Sequence, residues 1–213
     1  MKLVVLGATG GTGIEIVRQA IAQRHEVTAF VRSPEQLKPF AGQITVKQGD
    51  LLNSAALADA IKGHQKGGHE AVLSGFGPRV PIAKEDAHLL RDFAGALTAA
   101  MQRTGVKRLV VISTAFLFKD AILPPAYLFG RLFFPGVVAD ASAMERIFAT
   151  SGLDWTILRP PQLTDKPHTG KYRVREAHLP PFGFKISRAN VADCFLKTVA
   201  DPASIRKVLG VSH

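Results

Sequence analysis

The sequence contains a single cysteine, Cys194, among its 213 residues. An internal disulfide is therefore excluded, and a reducing compartment is expected. No segment approaches the roughly 20 consecutive apolar residues that a membrane-spanning helix needs. The apolar run at residues 2–6 meets a glycine too soon to be the core of a signal peptide. These absences predict a cytoplasmic protein with no membrane partner.

Metal-binding and nucleic-acid-binding motifs are also missing. The seven histidines show no His-x-x-x-His or Cys-His spacing, so no metal site is predicted. The formal net charge is +10, yet the basic residues form no tract and no aromatic-basic motif that binds nucleic acid. A basic surface attracts anions. We expect a small phosphorylated or carboxylated partner rather than nucleic acid. A solvated basic surface without a specific ligand is the alternative.

Short apolar runs alternate with helical patterns along most of the chain. Strands are predicted at 2–7, 26–32, 44–50, 69–77, 107–114 and 153–160, with a last one at 205–211. Helices are predicted at 11–25, 53–63, 84–104, 139–152 and 187–202. Parallel strands need crossover connections, which helices supply. The sequence therefore predicts an α/β fold, a doubly wound parallel sheet of the Rossmann type, in one domain covering residues 1–213.

The segment "GATGGTG" at residues 7–13 follows the first strand and opens the first helix. In a doubly wound sheet this turn lies at the carboxyl edge, where glycines let a diphosphate approach the free N–H groups of the helix. A P-loop is excluded because Ile14 and Glu15 stand where Lys and Ser or Thr are required. A tight turn without a ligand is the alternative. The predicted cofactor-binding residues of this loop are Gly7, Thr9, Gly10, Gly11, Thr12 and Gly13.

The end of the second strand indicates which dinucleotide is bound. Enzymes that use NAD often place Asp or Glu there, but this chain has Arg32 and Ser33. An arginine can hold a 2′-phosphate through a charge-assisted fork, so NADP(H) is favoured over NAD(H). A surface arginine is the alternative.

Further cofactor contacts are predicted after the third and fourth strands. They are Asp50 and Leu51, then Gly75 and Arg79. Helix capping and core packing are the alternative for the first pair, and an unliganded glycine-proline loop for the second.

Several motifs are similar to those of a known protein group. "GATGGTG", "VRS", "GD" and "SGLDWTILRPPQL" resemble atypical short-chain dehydrogenase/reductases with an NAD(P)H-binding fold. Within that group, "STAFLF", the prolines at 124–125, "RPPQLTDKPHTGKY" at 159–172 and "ISRANVADCFLKTV" at 186–199 are most similar to the biliverdin-IXβ reductase family, also called flavin reductases. The resemblance implies an NADPH-dependent reductase acting on flavins, quinones or tetrapyrrole-like electron acceptors. Pro160, in the Pro-Pro pair, is predicted as a further cofactor-binding residue.

The chain departs from that family at three positions. Gln162 replaces a histidine after the Pro-Pro pair, Ala141 replaces a histidine in the preceding helix, and Thr114 replaces a serine after the fifth strand. These departures weaken the implied tetrapyrrole specificity more than the implied cofactor binding.

A proton donor for carbonyl reduction is missing as well. Many short-chain reductases carry a Tyr-x-x-x-Lys pair whose tyrosine protonates a forming alkoxide. Those positions fall on Val137 and Ala141, while Glu145 matches an acidic residue found in related epimerases. Tyr127 and Arg131 have the same spacing but lie in a proline-broken segment, where packing or a lid role is expected. Reduction of a flavin or quinone spreads charge over a conjugated ring and needs mainly positioning.

The substrate side is predicted at residues 114–136 and 160–186. Ser113 and Thr114 are the candidate catalytic residues. Ser113 is also predicted to contact the nicotinamide ribose. Capping at the end of the strand is the alternative for both residues. Phe116 and Gln162 are the candidate substrate contacts. Other phenylalanines are expected near the substrate side, either as a stacking surface for the acceptor or as ordinary core residues. They are Phe76, Phe118, Phe133 and Phe134.

Two functions remain open from the sequence. One is a reductase for a small-molecule electron acceptor, acting as a monomer or weak dimer. The other is an NADP(H)-binding redox sensor without turnover. A sugar-nucleotide epimerase is disfavoured by the missing Tyr-Lys pair. His168 is expected to be a solvated loop residue, and Cys194 to pack as a small apolar side chain.

Overall fold

A computed structural model describes residues 1–63, 68–77, 88–118 and 135–213. The strands are β1 (Lys2–Leu6), β2 (Glu26–Val31), β3 (Thr45–Gln48), β4 (Ala71–Ser74), β5 (Arg108–Ile112), β6 (Asp154–Arg159), β7 (Gln162–Thr164), β8 (Arg173–Glu176), β9 (Lys185–Ser187) and β10 (Lys207–Ser212). The α-helices are α1 (Gly11–Ala22), α2 (Ser54–Lys62), α3 (Leu89–Thr104), α4 (Pro135–Thr150) and α5 (Arg188–Ala200). Short 3₁₀ helices cover Glu35–Phe40, Ala115–Leu117 and Pro202–Ser204.

The main sheet has the strand order β3-β2-β1-β4-β5-β6-β10-β8. The first seven strands in this order are parallel, and β8 joins the edge antiparallel to β10. The order reverses at β1, as in the doubly wound dinucleotide-binding fold. The predicted fold class is confirmed.

One crossover departs from the predicted alternation of strands and α-helices. The connection from β2 to β3 contains the 3₁₀ helix Glu35–Phe40 instead of an α-helix. Pro34 precedes this helix and Pro39 lies inside it. Proline lacks the N–H that an α-helix interior needs, so these residues account for the short, tight turn.

Three short strands were not predicted in the segment at 160–186. β7 and β9 form a separate parallel pair, and β8 extends the main sheet through Val174 opposite Val211. β8 is exposed along its length and mostly charged. Such short polar strands lack the apolar period that identifies a strand in a sequence.

Local signals explain the helix ends. The side chain of Asn53 accepts from the amides of Ala55 and Ala56 at the start of α2. The start of α3 is capped by a residue of another helix. The carboxylate of Asp140, in α4, accepts from the Leu90 and Arg91 amides at 2.8 and 3.0 Å. The predicted start of α3 at residue 84 lies outside the described residues. α4 begins at Pro135 rather than 139, since proline is favourable in a first helical turn.

The core has a layer on each face of the sheet. Leu3 and Val5 of β1 pack with α1 and α5, while Val4 and Leu6 pack with α2, α3 and α4. Helical periodicity in the sequence places Ile14, Val17 and Ile21 of α1 on one apolar face. The helix buries Ile16, Val17 and Ala20 instead, leaving Ile14 and Ile21 half-buried, because it contacts both the sheet and α5. Among the described residues, no helix is long and apolar enough to cross a membrane.

Candidate dinucleotide site

The predicted cofactor residues that the structure describes follow strands that end at one edge of the sheet. The carboxyl ends of β1, β2, β4 and β5 lie side by side because these strands are parallel neighbours. The loops that follow these strands therefore surround the first turn of α1. In folds of this topology ligands bind in the crevice at this edge.

Two of the three spaced glycines are required by packing. Gly7 has φ +69°, and a Cβ there would lie 2.8 Å from the backbone of Phe76. A Cβ on Gly13 would lie 2.0 Å from the Gly7 carbonyl oxygen. The turn is closed by the Gly10 amide, which donates to that same oxygen at 2.9 Å. Close packing thus accounts for Gly7 and Gly13 and shapes the loop.

The remaining glycines leave the start of α1 open. Gly10 and Gly11 are exposed. No side chain in the described part of the chain caps this helix, and its first turn holds no acidic residue. Its first N–H groups and positive dipole end are therefore available to an anion. Thr9 is half-buried in the turn, and Thr12 is buried at 4% exposure.

Arg32 and Ser33 lie directly after β2 and are both exposed. The Arg32 carbonyl accepts from Gln48 Nε2 at 2.9 Å, which fixes its backbone at the end of the sheet. Because β2 neighbours β1, Arg32 stands beside the glycine loop, where the 2′-phosphate role predicts it. That role remains a prediction.

The predicted contacts after β3 have local explanations. Asp50 forms a turn, its side chain accepting from the Leu52 amide at 3.0 Å and its carbonyl from the Asn53 amide at 3.1 Å. Leu51 is 6% exposed and packs in the core. Capping and packing thus account for both residues. Any contact with an adenine remains a prediction.

After β4, Gly75 lies against the glycine loop. Its amide donates to the Leu6 carbonyl at 3.1 Å, and a Cβ on Gly75 would lie 3.2 Å from the Gly13 nitrogen. The Phe76 ring lies tilted against Phe93 with centroids 4.9 Å apart, so it belongs partly to the core. Arg79 lies outside the described residues.

The candidate catalytic residues follow β5 and are tied to β6. The Ser113 amide donates to the Leu158 carbonyl at 2.7 Å, and the Ala115 amide donates to Pro160 at 3.0 Å. Thr114 caps the 3₁₀ helix Ala115–Leu117, its side chain accepting from the Phe116 amide. The capping alternative therefore accounts for Thr114, and Pro160 is buried behind this turn.

Ser113 belongs to a polar chain that the sequence did not fully predict. Its hydroxyl donates to Glu145 Oε1 at 2.5 Å. Arg159 holds the same carboxylate with two hydrogen bonds, and its guanidinium lies 4.7 Å from the centre of the Phe118 ring. Glu145 is 8% exposed. The Ser113 hydroxyl is thus committed as a donor and keeps its lone pairs for a group in the crevice.

The other substrate-side predictions have mixed outcomes. Phe116 is half-buried and Phe118 is 2% exposed. Gln162 is exposed at the start of β7, and its backbone N–H donates to the Phe184 carbonyl at 3.3 Å. Of the missing Tyr-Lys positions, Val137 is half-buried and Ala141 is 1% exposed. The predictions that lie outside the described residues are those on Pro124, Pro125, Tyr127, Arg131, Phe133 and Phe134.

The C-terminal part of the motif at 159–172 contacts helix α5. The side-chain oxygen of Asn190 accepts from the amides of Thr169 and Gly170 at 3.0 and 3.1 Å. The Tyr172 hydroxyl donates to Asp193 at 2.7 Å. We name residues 165–172 the strap. Its polar residues hold α5 in place, a role that the sequence alone does not reveal.

The strap also explains the ionisable groups of α5. Burial and the hydrogen bond to Asp193 raise the pKa of the Tyr172 hydroxyl. Burial opposes ionisation of Asp193, but hydrogen bonds from Lys197 and Tyr172 outweigh it and keep the pKa of its carboxyl below the usual value. His168 is half-exposed and lies 3.6 Å from Asp193. Cys194 packs as expected at 2% exposure.

Among the described residues, no three His, Cys, Asp or Glu side chains are grouped so that they would hold a metal ion.

Comparisons with known proteins agree with the fold. The profile of a family described as NAD(P)H-binding matches residues 7–202. An uncharacterised chloroplast protein of Arabidopsis thaliana is 31% identical over 99% of this chain and 76% of its own length. A short-chain dehydrogenase/reductase of Veillonella parvula in complex with NADP superposes with a TM-score of 0.83 at 19% identity, covering 100% of this chain and 94% of that one. An anaerobillin reductase of Escherichia coli O157:H7 superposes at 0.77 with 21% identity, covering 100% and 97%.

Proposed function

The chain belongs to the NAD(P)H-binding family, and from this premise we propose that it is an NADPH-dependent reductase that passes hydride to a flat conjugated acceptor, a flavin or a quinone. One observation carries the proposal. The uncapped start of α1 opens at the carboxyl edge beside Arg32, while Val137 and Ala141 occupy the positions of the usual proton donor pair.

The cofactor preference rests on Arg32. A bound nicotinamide dinucleotide would supply the hydride, and its pyrophosphate would meet the open N–H groups in the first turn of α1, which begins at Gly11. Arg32 is exposed beside this loop, and no carboxylate stands at the end of β2 to favour an unphosphorylated ribose. A guanidinium fork matches a phosphate in both geometry and charge. These features support NADP(H) over NAD(H).

The acceptor class rests on the missing acid. Reduction of an isolated ketone leaves a localised alkoxide that needs a positioned proton donor. Ala141 is a buried methyl group, and the Ser113 hydroxyl already donates its proton to Glu145. A conjugated ring disperses the new charge of the hydride and takes the balancing proton from water, so orientation against the cofactor supplies most of the catalysis.

Ser113 has a positioning role in this proposal. Arg159 holds Glu145, and Glu145 holds the Ser113 hydroxyl. The lone pairs of this hydroxyl therefore keep a fixed position at the end of β5. A hydroxyl of the nicotinamide ribose or an N–H of the acceptor then has a fixed partner. Fixed partners of this kind cost no reorganisation when the reactants meet.

A turnover panel tests the proposal. NADPH oxidation would be followed with FMN, riboflavin, a quinone and biliverdin, and with an aliphatic ketone as the control that requires an acid. We expect turnover with a flavin or quinone and none with the ketone. Turnover with the ketone would overturn the acceptor class. NADPH binding without turnover on any acceptor would instead identify the redox sensor, which the missing Tyr-Lys pair also suits.

A further inference from the structure

The side chain of Arg188 lies against the open end of the glycine loop. A Cβ placed on Gly11 would come within 2.7 Å of Arg188 Cδ and 2.9 Å of its Nε. Gly11 is the first residue of α1, and Arg188 is the first residue of α5. A guanidinium from the far end of the chain therefore stands beside the N–H groups that open toward the crevice.

This position is electrostatically unfavourable without an anion. A cation near the amino end of a helix is repelled by the positive end of the helix dipole. The first turn of α1 has no acidic residue that would offset the repulsion. The ion pair that the structure gives to Arg188 is with Asp165, 2.5 Å away, whose side chain is 88% exposed. A solvent-exposed carboxylate is a weak and replaceable counterion.

The backbone around Arg188 is held on both sides. The Ser187 side chain accepts from the Asn190 amide and caps α5. Gln19 of α1 donates to the Ala189 carbonyl at 2.7 Å, which ties the two helices together. The Arg188 side chain is 29% exposed. The backbone therefore holds Arg188 beside the glycine loop before any ligand arrives, and a residue whose position is set in advance binds with a smaller entropic loss.

We propose that Arg188 binds the pyrophosphate of the dinucleotide and that Asp165 is the counterion that this pyrophosphate replaces. The inference rests on the proposed cofactor site and adds a residue that the glycine pattern does not reveal. Arg188 faces the part that NADPH and NADH share, whereas Arg32 faces the 2′-phosphate position. Arg188 thus contributes affinity for both cofactors, and Arg32 contributes selectivity for NADPH.

The inference also gives Asp165 a defined effect on affinity. Asp165 belongs to the strap, and in the free protein it neutralises the guanidinium that the pyrophosphate needs. Binding must therefore break this ion pair. Asp165→Asn removes the competing charge and keeps the side-chain size. We expect both cofactors to bind this variant a few-fold more tightly.

Binding titrations of NADPH, NADH and 2′-AMP test the inference, with wild type, Arg188→Ala, Arg188→Lys, Asp165→Asn and Arg32→Ala compared. Since 2′-AMP has no pyrophosphate, it serves as the ligand control. We expect Arg188→Ala to weaken NADPH and NADH equally, by roughly tenfold to a hundredfold, as for loss of a charged hydrogen-bonding partner. Arg188→Lys should recover part of this loss, and 2′-AMP affinity should not change.

Each other outcome has a defined meaning. Unchanged NADPH and NADH affinity in Arg188→Ala overturns the inference while leaving the cofactor site intact. Weaker binding by Asp165→Asn would show that the ion pair supports the site instead of competing with the ligand, and overturns the counterion role. Equal loss for 2′-AMP would mean that the fold has been disturbed, which contradicts a local phosphate contact. No binding of either dinucleotide by wild type would refute the proposed function itself.

Discussion

Arg159 holds both carboxylate oxygens of Glu145 in the interior, with Nε–Oε1 at 2.9 Å and Nη2–Oε2 at 2.5 Å. Both side chains are largely buried. Removing one member of a buried pair leaves an uncompensated charge, which typically costs about 3–5 kcal/mol. The pair therefore fixes the end of β6 against α4 and, through Glu145, the hydroxyl of Ser113.

Arg159→Met should lower the free energy of unfolding by about 3 kcal/mol, because Glu145 loses its counterion. The double variant Glu145→Gln/Arg159→Met removes both charges and should recover at least half of that loss. Urea denaturation of wild type, of the single variants Arg159→Met and Glu145→Gln, and of the double variant measures this difference. If the double variant is as unstable as the sum of the single variants Arg159→Met and Glu145→Gln, the two side chains are not coupled.

Arg32→Ala should raise the Kd for NADPH by roughly tenfold or more and change the Kd for NADH by less than about twofold. The reason is that a 2′-phosphate is the group that distinguishes the two cofactors. Lys38→Ala is the matched control, since Lys38 is another exposed cation in the same connection. Equal losses for the two cofactors would remove Arg32 from the phosphate site.

Gly13→Ala should destabilise the fold and abolish cofactor binding together. Its Cβ would lie 2.0 Å from the Gly7 carbonyl oxygen, which is backbone and cannot rotate away. Gly95→Ala is the control, because no described atom lies within 4 Å of a Cβ placed there. In the middle of α3 this change should raise stability by about 0.5–1 kcal/mol. A Gly13→Ala protein that melts like wild type would contradict the close packing.

The sequence was sufficient to predict the glycine loop and the strand and helix on either side of it. An apolar run, a glycine turn and a helix are local signals, so β1, the loop and α1 followed directly. The partners of these elements were not predictable in this way. Arg188 meets Gly11, and Arg159 meets Glu145, only because the sheet order brings distant segments together.

The strap shows a second limit of prediction from sequence, which concerns the contacts that a recognised motif makes. Its motif was recognised, but a motif does not reveal which surface its side chains meet. The polar atoms of Thr169 and Tyr172 are bonded to α5, so they stabilise the scaffold of the site. β8 was missed because Arg173–Glu176 is short and exposed, and its pairing with β10 depends on the chain's return across the sheet.

Stability at alkaline pH should depend on Cys194. Burial raises the pKa of its thiol from the ordinary 9.0 to about 11. The unfolded chain therefore releases this proton between about pH 9 and 11 while the folded protein retains it, so the free energy of unfolding falls as pH rises. One such group contributes a slope of up to about 1.4 kcal/mol per pH unit.

Comparison of wild type with Cys194→Ala isolates this contribution from other titrating groups. The variant should lose less stability than wild type between pH 9 and 11, whatever its stability at neutral pH. Chemical denaturation across this pH series measures the difference. Parallel curves for the two proteins would contradict a raised thiol pKa.

The most direct test of the central claim is the rate of FMN reduction by purified protein with NADPH, compared with the rate with NADH at equal concentration. The proposed reductase predicts catalytic turnover that is faster with NADPH and that falls toward the NADH rate in Arg32→Ala. Saturable NADPH binding with no FMN or quinone reduction would contradict a reductase, and the crevice would then belong to a protein that senses the cofactor without consuming it.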